Sequence, residues 1–246
     1  MVYILKITYI VLVLISSALL SACNLGLKKT NHTLQTSLKK DMNTIAFLGD
    51  SITKAGEKEN GFCKLILKGL EDQGYQVTGI FAGKVAEKSN QMYGRIQRDV
   101  VKKKPDWLVL SCGVNDVYHF FMPGYSGLPL PQYKKHMRSM VVQAQEAKIK
   151  VILLTSTMIN EDPNNKMNQK LKSYNAFLHE LAKEKKCRLF DANKSMHEML
   201  KHGYTKPTED GVHLSAAGHV MVAIGVLGSL GLDKSSLDKL EFEWMP

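Results

Sequence analysis

The sequence predicts an α/β domain in which a five-stranded parallel sheet is covered by helices on both faces. Two observations predict it. Five short apolar runs alternate along the chain with stretches whose apolar residues recur at helical spacing, the order that parallel strands joined by crossover helices require. The two most apolar runs, 106–111 (DWLVLS) and 150–155 (KVILLT), show no polar alternation, as expected of strands buried on both faces. The 246 residues, 44% hydrophobic and 23% charged, suffice for one ordinary soluble domain with its own core.

Taken in order, residues 44–48 (TIAFL) form the first strand and run into Gly49-Asp50-Ser51. Residues 61–73 place Phe62, Leu65, Ile66, Leu67 and Leu70 on one helical face. A strand at 76–81 follows, then a helix at 90–104 that halts before Pro105, because a proline disfavours α-helical backbone in the residue preceding it. After the strand at 106–111 comes a helix at 131–148 with Pro131 in its first turn. The strand at 150–155 precedes a helix at 166–185, a short strand at 187–191 and a helix at 192–202 stopped by Gly203. Ser215 caps a final helix running to about residue 230. Such sheets bind ligands beyond the carboxyl ends of their strands, where strand order reverses. Attention therefore falls on residues 49–51, 83–86 and 113–116.

Residues 1–22 stand apart from this pattern. Lys6 precedes an almost purely apolar stretch, 7–20, followed by Ser21-Ala22-Cys23. A positive start, an apolar run and small residues before a break mark an export signal. About 14 apolar residues fall short of the roughly 20 that span a bilayer. Leu20-Ser21-Ala22-Cys23 resembles the lipobox of bacterial lipoproteins, which implies cleavage before Cys23 and a diacylglyceryl thioether on its sulfur. The expected localisation is the cell envelope, with a membrane tether at Cys23. Residues 23–41 are polar and poor in large apolar side chains, the composition of a flexible tether. The catalytic domain is expected over 42–246.

The net charge of +10 includes one lysine from residues 1–22, leaving +9 for the mature chain. That suits a lysine-rich solvated surface or attraction to an anionic envelope. Nucleic acid is not expected as a partner, since no basic stripe carries interleaved aromatics. Cys63, Cys112 and Cys187 remain after Cys23; their odd number and spacing argue against a disulfide framework.

Ser51 directly follows a strand, where a helix can begin. A serine hydroxyl needs a base to become a nucleophile. Of the eight histidines, His213 has a carboxylate at a useful spacing, in Asp210-Gly211-Val212-His213. A tight turn through Gly211 can bring the carboxylate to Nδ1 and leave Nε2 free for the serine.

These segments resemble the SGNH family, the GDSL-type esterases and lipases. Gly49-Asp50-Ser51-Ile52-Thr53 is similar to its first block, Gly113-Val114-Asn115-Asp116 to its third (GxND), and Asp210-Gly211-Val212-His213 to its fifth (DxxH). The resemblance covers 44–230 and implies a flavodoxin-like three-layer α/β/α sandwich. It implies Ser51, Asp210 and His213 as catalytic residues, with an oxyanion hole from the N–H of Ser51, the N–H of Ala86 and the amide of Asn115. Gly49, Asp50, Gly113 and Asp116 support these loops. The second block departs from the family, which carries glycine where Ala86 stands; Gly83 is the alternative donor. The implied reaction is acyl transfer to Ser51 and then to water, with no metal or cofactor. Its substrate is a small acyl ester, above all an O-acetyl group on a carbohydrate. Lysophospholipid or thioester hydrolysis is the second reading, and a non-catalytic binding lipoprotein the third.

Three other motifs stand out in the sequence. Ser51-Ile52-Thr53-Lys54 fits the SxxK pattern of penicillin-binding proteins, but the companion SDN and KTG elements are missing. His197 and His202 lie five apart, which puts them about 140° apart on a helix, so they cannot share a metal. The aromatic and proline-rich loop 118–131 leaves the third block directly and either walls the site or simply packs.

Overall fold

A computed structural model describes residue 38 and residues 43–240. The leader, Cys23 and all of the expected tether except Leu38 therefore lie outside the described residues; Leu38 itself is buried in the main core. The elements run β1 (Asn43–Gly49), α1 (Ser51–Gly56), α2 (Phe62–Asp72), β2 (Val77–Gly83), α3 (Ser89–Asp99), β3 (Trp107–Ser111), α4 (Val114–Tyr118), α5 (Leu130–Glu146), β4 (Lys150–Leu154), α6 (Lys166–Lys185), β5 (Arg188–Phe190), α7 (Ala192–Lys201), α8 (Ala216–Leu230) and α9 (Lys234–Leu237).

All strand pairs are parallel, in the order β2-β1-β3-β4-β5. This is the flavodoxin-like order, and its reversal point falls between β1 and β3. Helices α2 and α8 pack together on one face, while α3, α5 and α6 pack in sequence on the other. Ile45, Phe47, Leu48, Leu108 and Leu110 are fully covered between these layers, which explains why their strands lack polar alternation. Helix α8 is apolar almost all round because it is buried on most sides, with Ala223, Val226, Leu227 and Leu230 wholly inaccessible.

Helix boundaries follow the local signals with one break. The helix expected at 90–104 ends at Asp99, and Val100 at φ −128° leads into a 3₁₀ turn, Val101–Lys103. Lys104 then takes a left-handed conformation, φ +51°, which turns the chain into Pro105. Helix α8 is capped by the Ser215 side chain, which accepts from the Gly218 N–H. Helices α1 and α4, of six and five residues, are too short to show a periodicity in sequence. Cys63, Cys112 and Cys187 are free thiols.

Candidate active site

Ser51 is the first residue of α1, at the carboxyl end of β1. Asp50 caps this helix: its carboxylate accepts from the Ile52 N–H at 2.9 Å, a role open to Asp because a short acceptor at the N-cap meets an orphan helix donor. Burial pushes the Asp50 carboxyl up to about 6, and the charge of Asp116 adds to the shift. Gly49 has no room for a side chain: a Cβ would strike the Thr53 side chain and sit 3.0 Å from the Ser111 carbonyl. As the first helical residue, Ser51 has an N–H without an intrahelical acceptor.

The segment 207–214 carries Asp210 and His213. Thr208 bridges to Leu214, and the Glu209 N–H donates to the His213 carbonyl at 2.8 Å. Glu161 holds the segment from outside, its carboxylate accepting from the Thr208 N–H at 2.9 Å and from the Thr208 hydroxyl. Inside it, Asp210 Oδ1 accepts from the N–H groups of Val212 (3.0 Å) and His213 (2.8 Å). Gly211 makes the turn at φ +87°, against the Asn160 side chain. His213 Nδ1 lies 2.7 Å from Asp210 Oδ2, and its Nε2 lies 2.9 Å from Ser51 Oγ. Asp210, His213 and Ser51 thus form one hydrogen-bonded chain. Partial burial works to raise the Asp210 carboxyl, but bonds from the His213 ring and the two N–H groups outweigh it and hold it at about 2. The carboxylate is therefore ionised whenever the imidazole needs it, and it fixes the tautomer that leaves Nε2 free to accept.

The second and third blocks hold the residues expected as further donors, Ala86 or Gly83 and Asn115. Gly83 ends β2 with its N–H committed to Glu57 Oε1 at 2.7 Å, so the alternative donor is already spent. Ala86 is held at φ +59°, the left-handed region that glycine enters freely and alanine resists. No acceptor for its N–H exists among the described residues. Asn115 is buried on α4, with Nδ2 donating to the Glu87 carbonyl at 3.1 Å; its second amide hydrogen remains available. Gly113, at φ +136°, opens α4 where a Cβ would meet Ser156 Oγ at 2.5 Å and Tyr133 Oη at 3.2 Å.

Asp116 is fully buried below Asn115. It takes the Ser89 hydroxyl at 2.6 Å and the Ser89 N–H at 3.1 Å, and its backbone carbonyl accepts from the Leu128 N–H at 2.8 Å. Burial raises its carboxyl to about 6, with the Ser89 bonds opposing. Asp50 and Asp116 brace the loops rather than face the solvent.

His213 and Asp210 stay open, with side chains 41% and 56% exposed. A groove of about 660 Å³ at the β2 edge is lined by Lys54, Lys84, Arg98, Lys103 and Asp99 together with Phe81 and Val85, and Ser51, Asp210 and His213 are not among its walls. The loop 118–131 presents Phe120, Phe121 and Tyr125 to solvent. It is pinned by Lys88 Nζ donating to the Ser126 carbonyl and by Tyr174 Oη donating to the Leu128 carbonyl at 2.6 Å. Among the described residues no cluster of three His, Cys, Asp or Glu side chains is placed to hold a metal.

Several participants had no readable signal in the sequence. Ser89, Glu87, Arg95, Glu161 and Asn160 act through partners distant along the chain. His219, on α8, is buried: its Nδ1 accepts from the Phe62 N–H at 3.3 Å, and its ring stacks on Phe62.

Residues 47–221 match the GDSL-like Lipase/Acylhydrolase family. An acetylxylan esterase from Geobacillus stearothermophilus is 27% identical over 206 residues, covering 77% of this chain and 94% of the relative. The solved structure of the acetyl xylan esterase AlAXEase superposes with a TM-score of 0.70 at 32% identity, over 76% of this chain and 98% of its own. A crystal structure of the Geobacillus stearothermophilus acetylxylan esterase gives 0.71 at 24% identity, over 78% and 95%. The chain belongs to the GDSL-like lipase/acylhydrolase family and is a carboxylic ester hydrolase.

Proposed function

We propose that this chain removes O-acetyl groups from carbohydrate by two-step acyl transfer through Ser51. The observation that carries this reading is the Asp210–His213–Ser51 hydrogen-bonded chain at the reversal point of the sheet. Ser51 Oγ attacks the acetyl carbonyl while His213 Nε2 takes its proton. Asp210 stabilises the resulting imidazolium. The negative charge that develops on the carbonyl oxygen meets the N–H of Ser51, the N–H of Ala86 and the free amide hydrogen of Asn115, and one such donor contributes roughly 2.7–4 kcal/mol. As the bond between the acyl carbon and the sugar oxygen breaks, His213 gives its proton to that oxygen, which leaves as a hydroxyl. A water, activated by the same imidazole, releases acetate and restores the serine.

Two features favour an acetylated sugar over a lipid ester. The base and its carboxylate lie open to solvent, so an acetyl group projecting from a polymer can reach them without entering a tunnel. Both relatives at 27% and 32% identity are acetylxylan esterases. We further propose export and lipid tethering at Cys23, supported by the apolar stretch at 7–20 and the small residues before the cysteine. Replacing Cys23 by Ala should then release the protein from the membrane fraction.

The test is hydrolysis of p-nitrophenyl acetate, p-nitrophenyl octanoate and acetylated xylo-oligosaccharide, beside Ser51→Ala. Serine-dependent turnover with acetate preferred supports the reading. A preference for octanoate points to lipid esters, and no serine-dependent turnover points to a binding lipoprotein.

A further inference from the structure

We infer that Arg95, acting through Glu87, is a positioning residue that holds the oxyanion loop in its reactive shape. This inference rests on the reading of Ala86 and Asn115 as oxyanion donors. Arg95 projects from α3 into the space beneath the carboxyl ends of β1 and β2, and only 5% of its side chain is exposed. Its planar fork points four ways. Nη2 donates to the carbonyls of Gly49 (3.2 Å) and Ala82 (2.8 Å). Nε donates to Glu87 Oε2 at 2.6 Å and Nη1 to Asp99 Oδ2 at 3.0 Å. One guanidinium therefore joins the residue two before Ser51, the strand leading to the second block and the residue directly after Ala86.

Glu87 is where these ties become relevant to the oxyanion. Its carboxylate binds Arg95, and its backbone carbonyl accepts from Asn115 Nδ2. Fixing Glu87 thus aims both donors: the amide of Asn115 through the carbonyl, and the N–H of Ala86 through the adjoining backbone. The need for such a hold is visible in Ala86, whose φ of +59° an alanine leaves unless its surroundings over-determine it. The loop is fixed on its other side by the Lys84 N–H donating to the Gly49 carbonyl at 3.0 Å, and beyond Glu87 by the Ser89–Asp116 bonds. Arginine suits the position because its rigid fork serves acceptors in several directions at once, whereas a lysine ammonium is a single compact point.

The experiment measures kcat and KM on p-nitrophenyl acetate for the parent, Ser51→Ala, Arg95→Lys, Glu87→Gln and the double variant Arg95→Lys/Ala86→Gly, each below its melting temperature. Arg95→Lys is expected to lower kcat by about 100-fold, the scale of one lost oxyanion donor, with KM nearly unchanged. Glycine occupies the left-handed region without penalty, so adding Ala86→Gly should restore kcat about five- to thirtyfold, the scale of that penalty. Glu87→Gln keeps an acceptor but loses the charge, and it should lower kcat in the same direction if Arg95→Lys fails to fold. Arg95→Lys with parental kcat and only a lowered melting temperature would overturn the inference. So would a double variant no faster than the single one. A parent lacking Ser51-dependent turnover overturns the oxyanion reading and this inference together, while a working parent with indifferent Arg95 and Glu87 variants sinks the brace alone.

Discussion

Replacing His219 by Asn should make the fold less sensitive to acid. His219 Nδ1 accepts from the N–H of Phe62, the first residue of α2. Protonating that nitrogen would set two donors against each other at the positive end of a helix. Burial, with the charge of Lys58, lowers the imidazole from 6.5 to about 4. Its folded pKa lies below its unfolded one, so the contribution is complete above 6.5, shrinks as pH falls, and levels off below about 4. At 1.36 kcal/mol per unit, the full effect is about 3 kcal/mol, of which about 2 kcal/mol is already lost at pH 5 by linkage. Asparagine can accept from the same N–H but does not titrate. Asp50 and Asp116, both raised to about 6, titrate in the same window with the opposite sign, stabilising the fold as pH falls. They are present in both proteins and cancel in the difference. Thermal melts of parent and His219→Asn at pH 8 and pH 5 give that difference. A domain of this size shifts by ~2–4 °C per kcal/mol, so the gap between the two should move in the variant's favour by about 4–8 °C on acidification. A gap that does not change with pH would refute the account of His219 as a buried neutral acceptor.

Other perturbations address the site itself. Asp210→Asn should reduce kcat by about 10⁴-fold, because the amide can donate to Nδ1 and fix the wrong tautomer; a pH–rate profile of the parent should show no loss of Asp210 charge above pH 4, given its carboxyl at about 2. Asn115→Ala should cost ~10²–10³ in kcat with little change in KM, measured on p-nitrophenyl acetate. Ala86→Gly should relieve left-handed strain of about 1–2 kcal/mol while adding about 0.4–1 kcal/mol of unfolded-chain freedom. The expected net gain of about 0.5–1 kcal/mol is to be read by urea denaturation, and a clear loss of stability would contradict the strained geometry at Ala86.

What the sequence determined by itself is whatever short-range chemistry decides. The buried strands at β3 and β4 announce themselves because covering both faces demands unbroken apolar residues. Helix α8 is legible from Ser215, whose side chain caps its own neighbours. Asp210 and His213 are readable as a pair since they lie three residues apart and close through one turn at Gly211. Only the tertiary structure decided the rest. Ser51 and His213 stand 162 positions apart, and without family resemblance no local rule joins them. Gly83 and Ala86 are both plausible donors until Glu57, folded in from α1's far end, takes the Gly83 N–H. Helices α1 and α4 are held at the sheet's carboxyl edge by their caps and packing, since they are too short to form alone. His219 reads as an ordinary helix residue until Phe62 arrives from 157 positions away. The left-handed Ala86 runs against its own intrinsic preference and persists because Arg95, Glu87, Asn115 and Asp116, drawn together by the sheet, leave its backbone no other place.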